Sequence, residues 1–312
     1  MSNRPSLWCS AVALAVATAV AAAAEGPKQT APFPPELVEF VPYPDNPVFA
    51  GTGGDTWDRR IRERGYIRRE ADGYHLWYTG YNPDRSDLKL LGYATSPDGL
   101  HWTRHPANPV FDRSWVEDMC VVKWGDTYYM FAEGRHDIAH MLTSRDRIHW
   151  EDHGRLDIRS ADGQPIPPGP YGTPTVWVEH GTWYLFYERR DEGVWVATSR
   201  DRVRWTNVQD DPVIARGPQA YDRHAVALNQ IIKYRGWYYG YYHATAHRPW
   251  RDWTTCVAAS RDLVHWIKFP RNPIVAHNQS SGIVVHDGTQ YRLYTMHPEV
   301  RVHFPRRRNR SP

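Results

Sequence analysis

Short apolar and aromatic runs alternate with turn residues along almost the whole chain, and they recur in a fixed order. One set comprises Tyr74-His75-Leu76-Trp77-Tyr78, Tyr128-Tyr129-Met130-Phe131, Trp183-Tyr184-Leu185-Phe186-Tyr187, Trp237-Tyr238-Tyr239-Gly240-Tyr241 and Tyr291-Arg292-Leu293-Tyr294, each preceded by a glycine turn. Ahead of each turn lies a second apolar run: Gly65-Tyr66-Ile67, Met119-Cys120-Val121-Val122, Thr175-Val176-Trp177-Val178, Ala225-Val226-Ala227-Leu228 and Gly282-Ile283-Val284-Val285. Runs rich in aromatic and β-branched residues, bounded by turn residues, predict strands. A third apolar run leads into a phrase written four times. Its copies are Ser96-Pro97-Asp98-Gly99-Leu100-His101-Trp102, Ser144-Arg145-Asp146-Arg147-Ile148-His149-Trp150, Ser199-Arg200-Asp201-Arg202-Val203-Arg204-Trp205 and Ser260-Arg261-Asp262-Leu263-Val264-His265-Trp266. A period of roughly 50 to 60 residues marks a repeat architecture.

In that phrase the Ser-x-Asp turn can bond its own backbone, and the Trp is placed to cap the next strand. A further phrase follows the Trp: Ala107-Asn108-Pro109-Val110-Phe111, Asp210-Asp211-Pro212-Val213-Ile214 and Arg271-Asn272-Pro273-Ile274-Val275, with a degenerate form at Arg155-Leu156-Asp157-Ile158. It also stands near the start, as Asp45-Asn46-Pro47-Val48-Phe49, with no hairpin before it. A ring closed by the N-terminal segment, which supplies the outer strand of the last repeat, explains the extra copy and removes free sheet edges. The chain is therefore expected to be all-β, a five-bladed β-propeller. A β-sandwich has no reason to repeat these phrases in step.

Composition adds to this picture. The 312 residues hold 15 Trp, 19 Tyr and 25 Pro, a profile for many short strands with firm turns. Net charge is +3, but Arg306, Arg307, Arg308 and Arg310 crowd the end, so the remainder is close to neutral. No basic stripe with a reader motif is present, which argues against a nucleic-acid partner. Residues 1–24 have a short basic start, an apolar stretch and small residues before Glu25, the pattern of a cleaved export signal. The expected layout is signal 1–24, Pro-rich lead 25–39, propeller 40–304 and basic tail 305–312, with the mature protein secreted or periplasmic and off the membrane. Cys9 lies in the signal, and Cys120 and Cys256 fall in different repeats, so no bridge is expected and the core must carry stability.

In a propeller the starts of the inner strands and the ends of the second strands meet at one mouth. The sequence places Arg62, Glu63, Glu117, Asp118, Tyr171, Gly172, Thr173, Asp222, Arg223 and His224 at the first set. Tyr81, Glu133, Arg135, Glu188, Arg189, His243 and His297 fall at the second, and Asp55, Trp57 and Asp58 lie on a loop leading in. Carboxylates that converge on one funnel are costly to assemble without a purpose. Glycosidic bond cleavage uses an acid for the departing oxygen and a base for water. Trp57, Tyr81 and Tyr171 offer faces on which a sugar could stack. Four arginines (62, 135, 189, 223) and three histidines (224, 243, 297) at the mouth suggest an anion there, a uronate, a sulfate or phosphate. Neither a P-loop, HExxH nor CxxC pair appears, and no cofactor is expected, with an axial calcium or chloride left open. The hairpin aspartates (98, 146, 201, 262) are expected to be structural, and Cys120 to pack.

With its Ser-x-Asp-x-x-x-Trp hairpins and strand starts such as Glu117-Asp118-Met119-Cys120-Val121-Val122, the chain resembles the five-bladed propeller glycoside hydrolases of families 43, 32, 117 and 130. The resemblance runs from about Phe40 to about Phe304. The hairpins are also similar to the sialidase Asp-box, without its Thr-Trp ending and without a sixth blade. The resemblance implies an aspartate base at the start of blade one and a second aspartate at the start of blade two. Asp118 matches the second; Glu63, or Asp58 or Asp55 before it, stands at the first. The family 43 and 32 glutamate acid is replaced here by Gly172 and Thr173. A histidine acid of the family 117 kind would fall on His224 beside Asp222, with Glu133 and Glu188 as reserves. The resemblance thus implies a glycosidase, inverting and acting on a chain end. The alternatives are a phosphorylase of the same fold and a glycan-binding propeller without turnover.

Overall fold

The computed structural model describes residues 33–306, the Glu63 side chain excepted. The expected export signal and most of the basic tail lie outside the described residues. Among the described residues no helix is long and apolar enough to cross a membrane.

Five sheets form the blades of a β-propeller, antiparallel but for one short parallel pair in blade three. Blade one is Arg60–Glu70, Gly73–Tyr81, Leu90–Ser96 and Thr103–Arg104; blade two is Glu117–Trp124, Thr127–Gly134, Ile138–Ser144 and Glu151–Arg155. Gly172–Glu179, Thr182–Arg189, Gly193–Ser199 and Arg204–Asn207 make blade three, to which Asp157–Arg159 and Ile214–Ala215 add short outer pieces. Blade four is Ala225–Tyr234, Trp237–Thr245, Thr254–Ser260 and Trp266–Lys268. Blade five joins Ile283–His286, Tyr291–Thr295 and Arg301–Pro305 to Phe40–Pro42, whose register pairs Phe40 with Pro305 and Pro42 with His303. The N-terminal strand closes the ring, as the fifth copy of the Asn-Pro phrase predicts.

The repeated phrases turn out to be joints. In each hairpin the Ser hydroxyl accepts a backbone N–H three residues on, and the Asp carboxylate takes two more; Asp98 takes those of Leu100 and His101, for example. Three of the four hairpin tryptophans pack on the blade before, while Trp102 meets Tyr74 of its own blade edge-on at 6.5 Å. Trp150 meets Trp77 edge-on at 6.3 Å, Trp205 meets Phe131 at 5.7 Å, and Trp266 meets Phe186 at 6.0 Å. The first hairpin reaches blade five, where the Tyr294 hydroxyl donates to the Gly99 carbonyl.

The Asn-Pro phrase works by a side-chain bridge. Asn108 accepts the Tyr93 N–H at 2.9 Å and donates to its carbonyl at 2.9 Å, as one more residue of strand would. Asn272 does the same with Val257, and Asn46 with Val302. All three Asn-Pro bonds are cis. Cys120 and Cys256 are buried free thiols, as their separation in sequence implies.

Candidate functional site

At one end of the propeller a cavity of about 660 Å³ opens between the blades. Its walls are built by one positional rule. Residues at or close to the ends of the second strands of blades two to five, Glu133, Glu188, His243 and His297, line it, and Tyr81, the last residue of blade one's second strand, joins them. Each faces the start of its own inner strand: Glu133 pairs with Glu117, Glu188 with Gly172, His243 with Ala227 and His297 with Ser280.

The inner strands do not enter the ring straight. A bulge lies between Arg62 and Tyr66, Glu117 and Cys120, Gly172 and Thr175, and Leu228 and Gln230. Asp118 and Thr173 occupy the bulges of blades two and three at φ 45°, a left-handed conformation costly for a residue with a side chain. The extra residue turns each of them onto the cavity wall. Asp118 Oδ1 accepts the backbone N–H of Arg64 at 3.1 Å.

Arg64 is the residue that sequence inspection passed over. It springs from blade one yet donates to the Asp118 and Pro174 carbonyls, to Thr175 Oγ1 at 2.7 Å, and to the Leu228 and Asn229 carbonyls at 2.9 Å. One fully buried guanidinium therefore ties the inner strands of four blades together across the propeller axis. Its burial lowers its basicity, an effect opposed chiefly by the nearby Asp118.

Blade three has Gly172 and Thr173 at its strand start in place of an acid. A Cβ on Gly172 would collide with the carboxylate of Glu133, which reaches across from blade two. Glu133 Oε2 accepts the Thr173 N–H at 2.9 Å. Burial, with the carboxylates of Asp118, Glu117, Asp137 and Glu188 close by, holds Glu133 well above the usual carboxyl range. Burial likewise pushes Glu188 up to about 8, while a 2.9 Å hydrogen bond from the Asp191 N–H opposes the shift. Desolvation raises Asp191 as well, against the Trp250 indole N–H that reaches its carboxylate at 3.1 Å.

Of the residues picked out from sequence, Arg62, Tyr81, Asp118, Glu133, Thr173, Glu188, His243 and His297 line this cavity. The others are placed differently. The Glu63 side chain lies outside the described residues. Glu117 is buried beneath the wall, held by Arg62 and by the Trp115 indole. Asp58 is sealed against Arg104 and the Tyr78 hydroxyl, and Trp57 stacks on Tyr78. Tyr171 borders a neighbouring groove beside Pro165 and Pro167. Asp222 does not orient His224: it is fully buried and paired with Lys268 at 2.5 Å, and neither residue lines the cavity, nor does Arg223.

Of the four arginines expected to hold an anion, Arg62 alone lines the cavity. Arg62 pairs with Glu117, Arg135 with Asp87 at 2.8 Å, and Arg189 donates to the Pro167 carbonyl. Sequence inspection also missed Trp250, Arg251, Asp252 and Trp253, which join the wall from the loop between the second and third strands of blade four. Two tryptophans in an otherwise polar loop, Arg248-Pro249-Trp250-Arg251-Asp252-Trp253, were the available signal. Away from the mouth, Glu70, Asp72 and His75 bring possible metal ligands together, but Arg147 occupies them, donating to Asp72 at 2.8 Å and His75 at 2.9 Å.

Comparison with known proteins places this architecture. A glycosyl hydrolase from Bacteroides ovatus superposes with a TM-score of 0.70 at 18% identity, over 86% of this chain and 94% of that one. A β-1,2-mannobiose phosphorylase from Listeria innocua gives 0.63 at 15% identity, over 85% and 95%. The fold is that of the five-bladed propeller glycosidases and phosphorylases. By sequence, this propeller is 26% identical over 241 residues to a 1,2-β-oligomannan phosphorylase from a Thermoanaerobacter species, covering 69% of this chain and 75% of that protein. It is 27% identical over 199 residues to an uncharacterized Mycobacterium tuberculosis protein, a match that spans 55% of this chain and only 63% of the relative's length. No family model matches the chain.

Proposed function

We propose that the protein is an exported glycosidase that removes a terminal sugar by inverting hydrolysis, with β-1,2-linked mannosides as its substrate class. One observation carries the reading: Glu188, a carboxyl held up to about 8, lines the same cavity as Asp118. A general acid works best with a pKa near the working pH, where it is still protonated yet gives its proton up readily. Glu133, also raised by burial and its neighbouring carboxylates, is the reserve acid.

In this mechanism Glu188 passes its proton to the glycosidic oxygen as the bond from that oxygen to the anomeric carbon breaks. Asp118 takes a proton from a water that attacks the same carbon from the opposite face. Glu63 is the other candidate base. The substrate class comes from the mannoside-acting relatives. Export rests on the pattern of residues 1–24.

Phosphorolysis is the second reading, favoured by the oligomannan phosphorylase relative. Hydrolysis is preferred because, with Glu133 and Glu188 protonated, Asp118, Asp137 and Asp252 still line the cavity against Arg62 and Arg251, and Arg62 already pairs with Glu117. A phosphate dianion would enter against that field. The test is purified protein on β-1,2-mannobiose with and without phosphate, products followed by NMR. Hydrolysis gives α-mannose first, independent of phosphate, and Glu188→Gln lowers kcat by about 10² to 10⁴. Mannose 1-phosphate as product would establish the phosphorylase instead. Full activity in Glu188→Gln would remove the acid assigned here.

A further inference from the structure

We infer that Trp250 is the platform of an outer sugar subsite, which holds the leaving-group sugar over Glu188. The inference rests on the glycosidase reading above and assigns its specificity for the second sugar. Blade four's connection between second and third strands runs from Ala246 to Trp253, whereas blades two and three need only Arg135 to Asp137 and Arg190 to Glu192. The long loop is pinned at its base, where Thr245 Oγ1 donates to the Arg251 carbonyl at 2.6 Å and the Trp253 ring meets His243 edge-on at 5.0 Å. From that base it sends Trp250 to the cavity wall with 54% of its surface exposed, an unusual cost for the largest apolar side chain.

The exposed ring is not loose. Its N–H is fixed by Asp191 Oδ2 at 3.1 Å, and the N–H of the same Asp191 holds Glu188 Oε2 at 2.9 Å. The indole and the candidate acid are thus two bonds apart in one chain of contacts that bridges blades three and four. A flat apolar face held in place, with the polar groups of Arg251 and Asp252 beside it, suits a pyranose: the C–H face lies on the ring and the hydroxyls meet the charges. Such a platform beside the acid receives the sugar whose oxygen the acid protonates.

The test is calorimetric binding of mannose and β-1,2-mannobiose to the full chain, wild type, Trp250→Ala and Trp250→Phe, with turnover of mannobiose measured in parallel. Trp250→Ala should weaken mannobiose by about tenfold and mannose by less than twofold, and Trp250→Phe should recover most of the loss because it restores a ring. Equal loss for both sugars, no loss for mannobiose, or no recovery in Trp250→Phe would overturn the platform. So would a wild type that binds neither sugar. A wild type that shows the expected binding pattern without turnover keeps the platform and overturns the glycosidase reading, so the two failures are told apart. Thermal melts of the two variants should match each other, since both lose the same indole bond to Asp191.

Discussion

Glu188 is an ordinary glutamate made unusual by what surrounds it. Its folded pKa of about 8 lies above the ordinary 4.5, so between those values the folded state holds a proton that the unfolded chain releases. The sign follows: the stability tied to this proton is complete below about pH 4.5 and is lost as the pH rises through about 8. Activity should fall over the same upper limb if, as proposed, the acid form of Glu188 is the working form. Replacement by Gln removes the group, so thermal melts of Glu188→Gln should vary less between pH 5 and 8 than those of wild type. Equal slopes in both proteins would mean that another carboxyl is responsible, and Glu133 would then be the first to examine. Little of this was legible beforehand. Glu188 was a reserve choice from sequence because its environment is assembled from Asp137, Asp118 and Asp191, which are distant in the chain or unremarkable in composition.

The elements explain why the fold could be read and the site only in part. Strands and hairpins repeat, so each phrase vouched for the others; of the mouth positions placed on the second strands, Tyr81, Glu133, Glu188, His243 and His297 line the cavity, one from each blade, while Arg135 and Arg189 do not. The inner strands carry bulges, which shift the register without changing residue types, so their side chains could be assigned to a region but not to a wall. Blade four's inner strand begins only at Ala225, after a turn at Ala220–Asp222, and that offset carries Asp222 and His224 out of the cavity. Lys268, which claims Asp222, belongs to that blade's fourth strand and gives no sign of the pairing in sequence. The Asn-Pro phrase can be tested at this scale. Asn108→Ala leaves the Tyr93 N–H and carbonyl without their shared partner and should cost about 2 to 3 kcal/mol. Chemical denaturation would read the loss; a change below about 0.5 kcal/mol would mean that water substitutes for the amide.

For the whole molecule, closure rests on a short seam. Phe40–Pro42 pairs with Arg301–Pro305, and Asn46 clips onto Val302 beyond it. Removing residues up to Phe49 should leave the edge of blade five bare, lower the melting temperature and promote self-association through that edge. Light scattering and melting curves of the truncated chain measure both effects. A monomer as stable as the full chain would show that the ring does not depend on its seam. The extra Asn-Pro phrase made this seam visible in sequence, whereas Arg64 stayed hidden because a single arginine in Arg62-Glu63-Arg64 looks like any surface charge.

That buried guanidinium has a mechanical consequence. Stretched from one blade to three others, it bolts four inner strands to one another, so a shift in any one of them is felt by the rest.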